Sequence, residues 1–269
     1  MNSSRNLQKL SVIVPAYNKD TEVFKSISQM VNELKILPYD WEIIVVDDAS
    51  RDKTLREAIK SKKFNGNSER IKIYSYDLNQ GKGFALYYGF TKSQGDTIVF
   101  TDSDLDLPAT NISTLLSYLT KNSADVAIGS KRHKLSKVNY PFLRKLQSKA
   151  YQILIHLLFK LNISDTQVGA KAFRREVLDN TFPRLVVKTF AFDLELMVVA
   201  SLLGYKKIIE APITLNYNFS STIHLQSVIK ILQDTIAIYY RKNFLKFYDY
   251  DQGSFEKAKS HFAVEKSFV

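Results

Sequence analysis

The first 130 residues alternate between short apolar runs and longer segments in which apolar residues recur every three or four positions. The apolar runs predict strands, and the periodic segments predict helices. A chain that repeats strand, helix, strand in this way is expected to form an α/β fold, a mostly parallel, twisted sheet with helices on both faces. The predicted strands cover residues 10–14, 42–46, 71–74, 97–101 and 126–128.

Polar motifs directly follow four of these strands. They are "YNKD" after the first strand, "DDASRD" after the second, "DSDLD" after the fourth and "GSKRHK" after the fifth. The carboxyl ends of parallel strands share one edge of the sheet, and ligands of such folds bind at that edge. The sequence therefore predicts that the four motifs form one site.

The motif "TDSDLDLP" places Asp102, Asp104 and Asp106 at alternating positions behind an apolar run. Three carboxylates so close together repel one another unless a positive charge lies among them. A calcium loop of the D-x-D-x-D-G-x5-E type is excluded, because Leu107 stands in place of the glycine and Ser113 in place of the glutamate.

Two interpretations of the aspartates remain. Asp106 helps to cap the helix that begins after Pro108, which explains only one carboxylate. Alternatively, the aspartates bind Mg²⁺ or Mn²⁺ together with a phosphate-bearing ligand, because such cations use one or two carboxylates plus substrate phosphates. A D-x-D pair alone is weak support for a metal site, since pairs of this kind also occur by chance.

The composition favours an anionic partner. The chain has 38 Lys and Arg against 27 Asp and Glu, a formal net charge of +11, and it has no cysteine, which excludes disulfides and thiolate metal sites. A non-catalytic module that binds a polyanion or a membrane is one interpretation. We rank it below an enzyme and expect no nucleic acid partner, because three aspartates at the ligand edge repel a polyphosphate.

The second half of the sequence predicts helices over 141–161, over 192–203 and from about Thr222, with a polar loop at 162–171 and an extended segment at 208–216. We expect a catalytic domain at 1–220 and an amphipathic helix with a loosely held tail at 221–269. No run approaches the ~18 apolar residues of a membrane span. The chain is therefore expected in the cytoplasm, at the membrane only peripherally or through a membrane partner.

The motifs gain weight in combination. "LSVIVPAYNKD", "WEIIVVDDASRDKT", "NQGKGFALYYGF" and "TIVFTDSDLDLP" occur in this order, whereas a Walker motif and a G-x-G-x-x-G fingerprint are absent. Together with "DTQVGAKAF" and "FAFDLELM", they resemble the family 2 glycosyltransferases, and within these the dolichyl-phosphate glucosyltransferase and mannosyltransferase branch.

The resemblance implies a Rossmann-like GT-A fold and inverting transfer of a hexose from a nucleotide sugar, with Mg²⁺ or Mn²⁺ as cofactor. It favours UDP-glucose as donor and a polyprenyl or dolichyl phosphate as acceptor. GDP-mannose as donor, or a glycolipid or polysaccharide as acceptor, are the alternatives.

The same resemblance assigns the donor-site residues. It implies that Asp104 and Asp106 hold the metal and that the donor contacts are Pro15, Tyr17, Asn18, Asp47, Lys82 and Asp102. Two of these residues have simpler interpretations. Asp47 and its neighbour Asp48 are typical of a turn, and Lys82 is also compatible with an exposed loop lysine.

The acceptor side is assigned in the same way. Asp165 matches the position of the catalytic carboxylate, with Asp104 as the second catalytic group, although an Asx turn explains Asp165 equally well. The residues implied to contact the acceptor phosphate are Arg132, Arg144, Gln167, Lys171 and Asp193. Arginine suits this task because its planar fork binds phosphate oxygens in pairs.

Overall fold

The computed structural model describes residues 9–66, 69–138, 142–189, 191–216 and 225–249, apart from the side chains of 142–146 and 225–227. Strands and helices alternate through the first 130 residues, as the sequence predicts. The elements are β1 (Lys9–Ala16), α1 (Val23–Lys35), β2 (Asp40–Asp47), α2 (Thr54–Phe64), β3 (Ile71–Ser75), α3 (Lys82–Thr91), β4 (Thr97–Phe100), α4 (Thr110–Lys121), β5 (Val126–Ser130), β6 (Lys137–Val138), α5 (Phe142–Phe159), β7 (Lys171–Arg174), α6 (Arg175–Thr181), a 3₁₀ turn (Phe182–Arg184), α7 (Phe192–Leu202), β8 (Ile208–Pro212), β9 (Thr214–Leu215) and α8 (Leu225–Asn243).

The main sheet has seven strands in the order β3-β2-β1-β4-β7-β5-β8. Strands β3, β2, β1 and β4 are parallel to one another, and so are β5 and β8, whereas β7 runs antiparallel to both of its neighbours. The prediction of a mostly parallel sheet is therefore confirmed. Strand β7 was not predicted, because it has only four residues and begins with a lysine. Helix α6, which has seven residues, was not predicted either.

The core lies on both faces of this sheet. Alternate side chains of β1 enter different clusters: Val12 and Val14 pack with α1 and α4, while Ile13 packs with α3 and α7. Helix α1 buries the apolar stripe that its sequence periodicity predicts. Burial on both faces explains why the central strands are almost continuously apolar.

Helix α7 is buried along nearly its whole length, from Phe192 to Ala200. Two acidic residues lie within this stretch, and each has a basic partner: Lys171 for Asp193, and Arg241 of α8 for Glu195. Buried charges are tolerated only when they are paired. The two pairs connect α7 to β7 on one side and to α8 on the other.

Helices α5 and α8 contact each other through a hydrogen bond between Tyr151 and Thr235 and through the rings of Phe159 and Tyr239. Helix α8 begins at Leu225, and residues 222–224 of the predicted helix lie outside the described part, as does the predicted tail from 250 onward. None of the described helices combines the length and apolarity that a bilayer span requires.

Candidate active site

The candidate site is a cleft at the carboxyl edge of the sheet, with a volume of about 210 Å³. Two of the four predicted motifs, "DSDLD" and "GSKRHK", contribute residues to the lining, whereas "YNKD" and "DDASRD" contribute none. The cleft is lined by Asp102, Asp104, Asp106, Leu107, Lys131, Gln167, Val168, Gly169, Ile213 and Leu215.

Two lysines lie close to the carboxylates of the aspartate motif. Lys82, the first residue of α3, places its Nζ 2.5 Å from Asp102 Oδ1, and Lys19 Nζ lies 3.6 Å from Asp104 Oδ2. Burial alone would raise the pKa of Asp102, but the charge and hydrogen bond of Lys82, aided by Lys171, outweigh it and lower that pKa. Asp102 is therefore ionised and already neutralised within the chain.

Asp104 is left with surplus negative charge. Burial and the neighbouring carboxylates of Asp102 and Asp106 raise the pKa of Asp104 to about 6, against the opposing influence of Lys19. A carboxylate whose charged form is disfavoured in this way gains from an added cation. This electrostatic imbalance fits the prediction that Asp104 binds a divalent metal.

No cluster of three His, Cys, Asp or Glu side chains with metal-binding geometry occurs among the described residues. The predicted cofactor does not require such a cluster, because Mg²⁺ takes one or two carboxylates and completes its shell with water and substrate phosphates. Asp104 and Asp106 fit such a partial site, although the backbone N–H of Asp106 donates to Asp104 Oδ1 at 3.3 Å. Their assignment as metal ligands stays a prediction.

Asp165 is buried and forms the Asx turn that was one of its two interpretations, while its role as catalytic carboxylate stays a prediction. Its Oδ1 accepts from the backbone N–H of Gln167 at 3.2 Å, which is Asx-turn geometry, while Lys131 Nζ lies 3.5 Å from its Oδ2. Lys131 was not predicted as a site residue, because the resemblance directed attention to its neighbour Arg132. The motif "GSKRHK" contains both cations, and only the structure distinguishes them.

Three buried polar atoms in the predicted site motifs lack partners within the described part of the chain. They are Asp47 Oδ1 at the end of β2, and Thr166 Oγ1 and Gln167 Nε2 in the loop before β7, and of these residues only Gln167 lines the cleft. A buried polar atom without a partner is costly, and a bound ligand removes that cost. Asp47 and Gln167 were predicted as ligand contacts, whereas Thr166 was not.

Both carboxylate oxygens of Asp48, in contrast, have hydrogen-bond partners. Its Oδ1 accepts from Tyr76 Oη and the backbone N–H of Gln80, and its Oδ2 accepts from Asn79 Nδ2 and the N–H of Gly81. The carboxylate thereby fixes the backbone at Gln80 and Gly81, which places the next residue, Lys82, next to Asp102. This agrees with the expectation that Asp48 serves turn chemistry.

The other predicted donor residues lie at the ends of β1 and β2 and do not line the cleft. Pro15 is buried within β1, whereas Tyr17 is exposed. Asn18 has a φ of 51°, and its amide accepts from the N–H of Arg51, which ties the two strand ends together. Their contact with a nucleotide stays a prediction.

The predicted acceptor contacts fall into two groups. Arg132 is exposed, and its Nη2 lies 3.3 Å from Ser148 Oγ of α5, one turn beyond position 144. The side chain of Arg144 itself lies outside the described residues. Lys171 and Asp193 are instead buried and do not line the cleft. They form an ion pair in which Lys171 Nζ lies 2.7 Å from Asp193 Oδ1.

The fold has clear structural neighbours among the GT-A glycosyltransferases. The mannosyl-3-phosphoglycerate synthase of Rubrobacter xylanophilus superposes with a TM-score of 0.68 at 18% identity, over 89% of this chain and 75% of that one. The glucosyl-3-phosphoglycerate synthase of Mycobacterium tuberculosis, in a complex with Mn²⁺, UDP and glucosyl-3-phosphoglycerate, gives a TM-score of 0.66 at 20% identity, over 87% of this chain and 79% of that one. At these identities the likeness shows the GT-A fold alone, which confirms the predicted fold class.

Sequence comparison then defines the family. The model of "Glycosyl transferase family 2" matches residues 11–182, and the chain belongs to this family. This confirms the predicted enzyme class, a nucleotide-sugar-dependent glycosyltransferase.

Curated relatives include the human dolichyl-phosphate beta-glucosyltransferase, which is 32% identical over 78% of this chain and 67% of its own length. The dolichol-phosphate mannosyltransferase of Pyrococcus furiosus is 35% identical, over 77% of this chain and 56% of the relative.

Proposed function

We propose that this protein is an inverting hexosyltransferase that transfers glucose from UDP-glucose to a polyprenyl phosphate of the dolichyl type. The observation that carries the proposal is the cleft itself, in which an acidic motif with surplus negative charge faces Lys131 and the unpartnered amide of Gln167. Such a cleft suits a metal-bound diphosphate on one wall and a second anion on the other.

The donor is assigned to the aspartate motif after β4 and to the neighbouring ends of β1 and β2. Asp47 offers an unpartnered oxygen for the base or ribose, and Lys82 and Asp102 form a charged pair next to the path of the diphosphate. Pro15, Tyr17 and Asn18 complete the donor set. A Mg²⁺ or Mn²⁺ ion held by Asp104 and Asp106 would neutralise the charge that grows on the leaving diphosphate.

The acceptor is assigned to the side formed by β5 and the loop before β7. Arg132 and Arg144 are proposed to bind the lipid phosphate, and Gln167 to orient it. One phosphate oxygen attacks C1 of the sugar, the bond from C1 to the diphosphate breaks, and the configuration at C1 inverts. An acceptor phosphate is ionised near neutral pH, so it needs no strong base.

Asp165 is proposed to act in this reaction by positioning. Its carboxylate is paired with Lys131, a residue that lines the cleft. Deprotonation of the acceptor is unnecessary, whereas a fixed cation next to the attacking phosphate lowers the repulsion between two anions. The Asx turn at Asp165 and its ion pair with Lys131 both serve that task.

A mannosyl donor is the second candidate. It is favoured by the 35% identity to a dolichol-phosphate mannosyltransferase. A donor panel separates the two: with Mn²⁺ present, UDP-glucose should raise the melting temperature by several degrees, because a ligand bound only by the native state stabilises it. A shift with GDP-mannose alone would favour mannosyl transfer, and a shift with neither would contradict the proposal.

We also propose that the protein works peripherally at the cytoplasmic face of a membrane. Apolar side chains stand exposed on α5, on α8 and directly after α8, including Leu157 at 71%, Ile236 at 64% and Phe244 at 68%. Lys230 and Lys242 lie along the same helix α8, and helices of this kind bind at the interface of anionic bilayers. Cosedimentation with phosphatidylserine vesicles should be strong in the wild type and weak in Ile236→Asp; equal sedimentation would contradict it.

A further inference from the structure

A buried ion pair lies directly behind the aspartate motif. Lys171, the first residue of β7, is fully buried, and its Nζ lies 2.7 Å from Asp193 Oδ1 of α7. The same ammonium donates a hydrogen bond to the backbone carbonyl of Val168 at 2.5 Å. A buried lysine with two protein partners has little capacity left for a ligand.

The carbonyl held by Lys171 belongs to the segment on which Asp102 rests. Gly169 follows Val168, and a Cβ added at Gly169 would overlap the carboxylate of Asp102. The two segments leave the sheet side by side, because Phe100 of β4 is paired with Lys171 of β7. The backbone at 168–169 therefore forms the floor that sets where the Asp102 carboxylate lies.

The charges of this region alternate in sign. Asp193 pairs with Lys171, Lys171 acts on Asp102, and Asp102 pairs with Lys82. A buried ion pair is weak evidence for stability, because apolar residues of similar volume often replace one without loss. The position of this pair under Asp102 suggests a second role.

We propose that Lys171 and Asp193 are positioning residues of the donor site, which act on Asp102 through Val168 and Gly169, and are not ligands of the acceptor phosphate. The inference rests on the proposed function, which defines the donor site and supplies UDP and Mn²⁺ as probes. It replaces the assignment of these two residues that the family resemblance implied.

The test measures binding of UDP with Mn²⁺ by calorimetry in the absence of any acceptor. The variant Lys171→Met/Asp193→Leu removes both charges together and so avoids leaving one of them unpaired. We expect its affinity for UDP with Mn²⁺ to fall roughly tenfold or more, as for lost outer-shell partners of a metal site. If the residues bind only the acceptor, this affinity is unchanged and only the KM for the acceptor phosphate rises.

The matched control is the pair of Glu42 and Lys72, which has the same 2.7 Å separation but lies away from the cleft. The variant Glu42→Gln/Lys72→Met should lower stability and leave the affinity for UDP with Mn²⁺ unchanged. An equal loss of affinity in both double variants would show a general effect of destabilisation and contradict the proposal.

The variant Gly169→Ala and the reactivity of Lys82, which is measured without ligand, test the inference further. Gly169→Ala should displace the Asp102 carboxylate while both buried charges remain, and should lose the same affinity. In Gly169→Ala, which keeps Asp193, Lys82 should also become several-fold more reactive toward an amine-acylating reagent. Burial lowers the pKa of Lys82, the charges of Asp102 and Asp193 outweigh it and raise that pKa, and this variant weakens only the contribution of Asp102. Unchanged Lys82 reactivity would overturn the inference, whether or not the wild type binds UDP. Failure of the wild type to bind UDP would count only against the proposed function.

Discussion

Lys82 and Asp102 form an ion pair at 2.5 Å across the candidate donor site. The positive charge that three neighbouring aspartates require is thus supplied in part by the chain itself. Lys82 and the more distant Lys19 leave the motif with one carboxylate in excess, which agrees with the raised pKa of Asp104, about 6. We propose that this excess negative charge binds a divalent metal together with the donor diphosphate.

Replacement of Asp104 by Asn should abolish metal-dependent turnover. The loss should exceed the ~100-fold typical of an outer-shell partner, because a direct ligand is removed. Turnover is measured over a range of Mn²⁺ concentrations, with melting temperature as the control for folding. Asp125→Asn, at the amino end of β5, is the matched variant, and a similar loss of turnover there would count against a specific role for Asp104.

Replacement of Arg132 by Ala should weaken the acceptor side alone. Arg132 is exposed and has one long hydrogen bond to Ser148, so its loss should leave stability within about 0.5 kcal/mol of wild type. A charged hydrogen bond to phosphate is worth ~1.5–3 kcal/mol, which predicts a roughly ten- to hundredfold rise in acceptor KM. Lys134→Ala is the control in the same segment, and an unchanged acceptor KM in Arg132→Ala would rule out the phosphate contact.

Replacement of Arg241 by Met should loosen the attachment of α8. Glu195 is fully buried and accepts bonds from Arg241, from Tyr248 and from the backbone N–H groups of Val186 and Val187. Removal of Arg241 leaves a buried carboxylate without its cation and should cost ~3 kcal/mol in urea unfolding. Tyr248→Phe, which keeps the cation, should cost only ~1 kcal/mol. Equal costs would show that the charge pair is unimportant.

The sequence predicted the elements of the first half because their strands are buried on both faces and their helices on one. It also predicted the edge of the sheet at which the candidate cleft lies, since four polar motifs follow β1, β2, β4 and β5. Periodicity gave no signal for β7, whose four residues begin with Lys171.

The geometry of the site was less predictable from the motifs. Lys171 and Asp193 share motifs with residues that are predicted to bind ligands, yet their side chains lie behind the cleft wall. The ion pair between Lys131 and Asp165 joins segments 34 positions apart, and no local pattern in the sequence indicates it. Likewise, the role of Gly169 depends on the approach of Asp102, which only tertiary structure creates.

Glu42 should make stability depend on pH. Burial alone would raise the pKa of Glu42, but hydrogen bonds from Lys72, Ser11 and Gln94 outweigh it and lower that pKa below its ordinary 4.5. A lowered folded-state pKa contributes stability above pH 4.5 that is lost as pH falls through the folded value. Glu42→Gln should therefore be ~1–2 kcal/mol less stable than wild type at pH 7, and the difference should shrink at pH 3.5. A constant difference at both pH values would contradict this.

The most direct test of the central claim is transfer of labelled sugar to lipid. The protein is incubated with labelled UDP-glucose, Mn²⁺ and dolichyl phosphate, and the label in the extracted lipid is counted. We expect labelled lipid from the wild type, and none from Asp104→Asn or after chelation of the metal. Absence of labelled lipid from the wild type with UDP-glucose, or undiminished labelling in Asp104→Asn, would contradict the account.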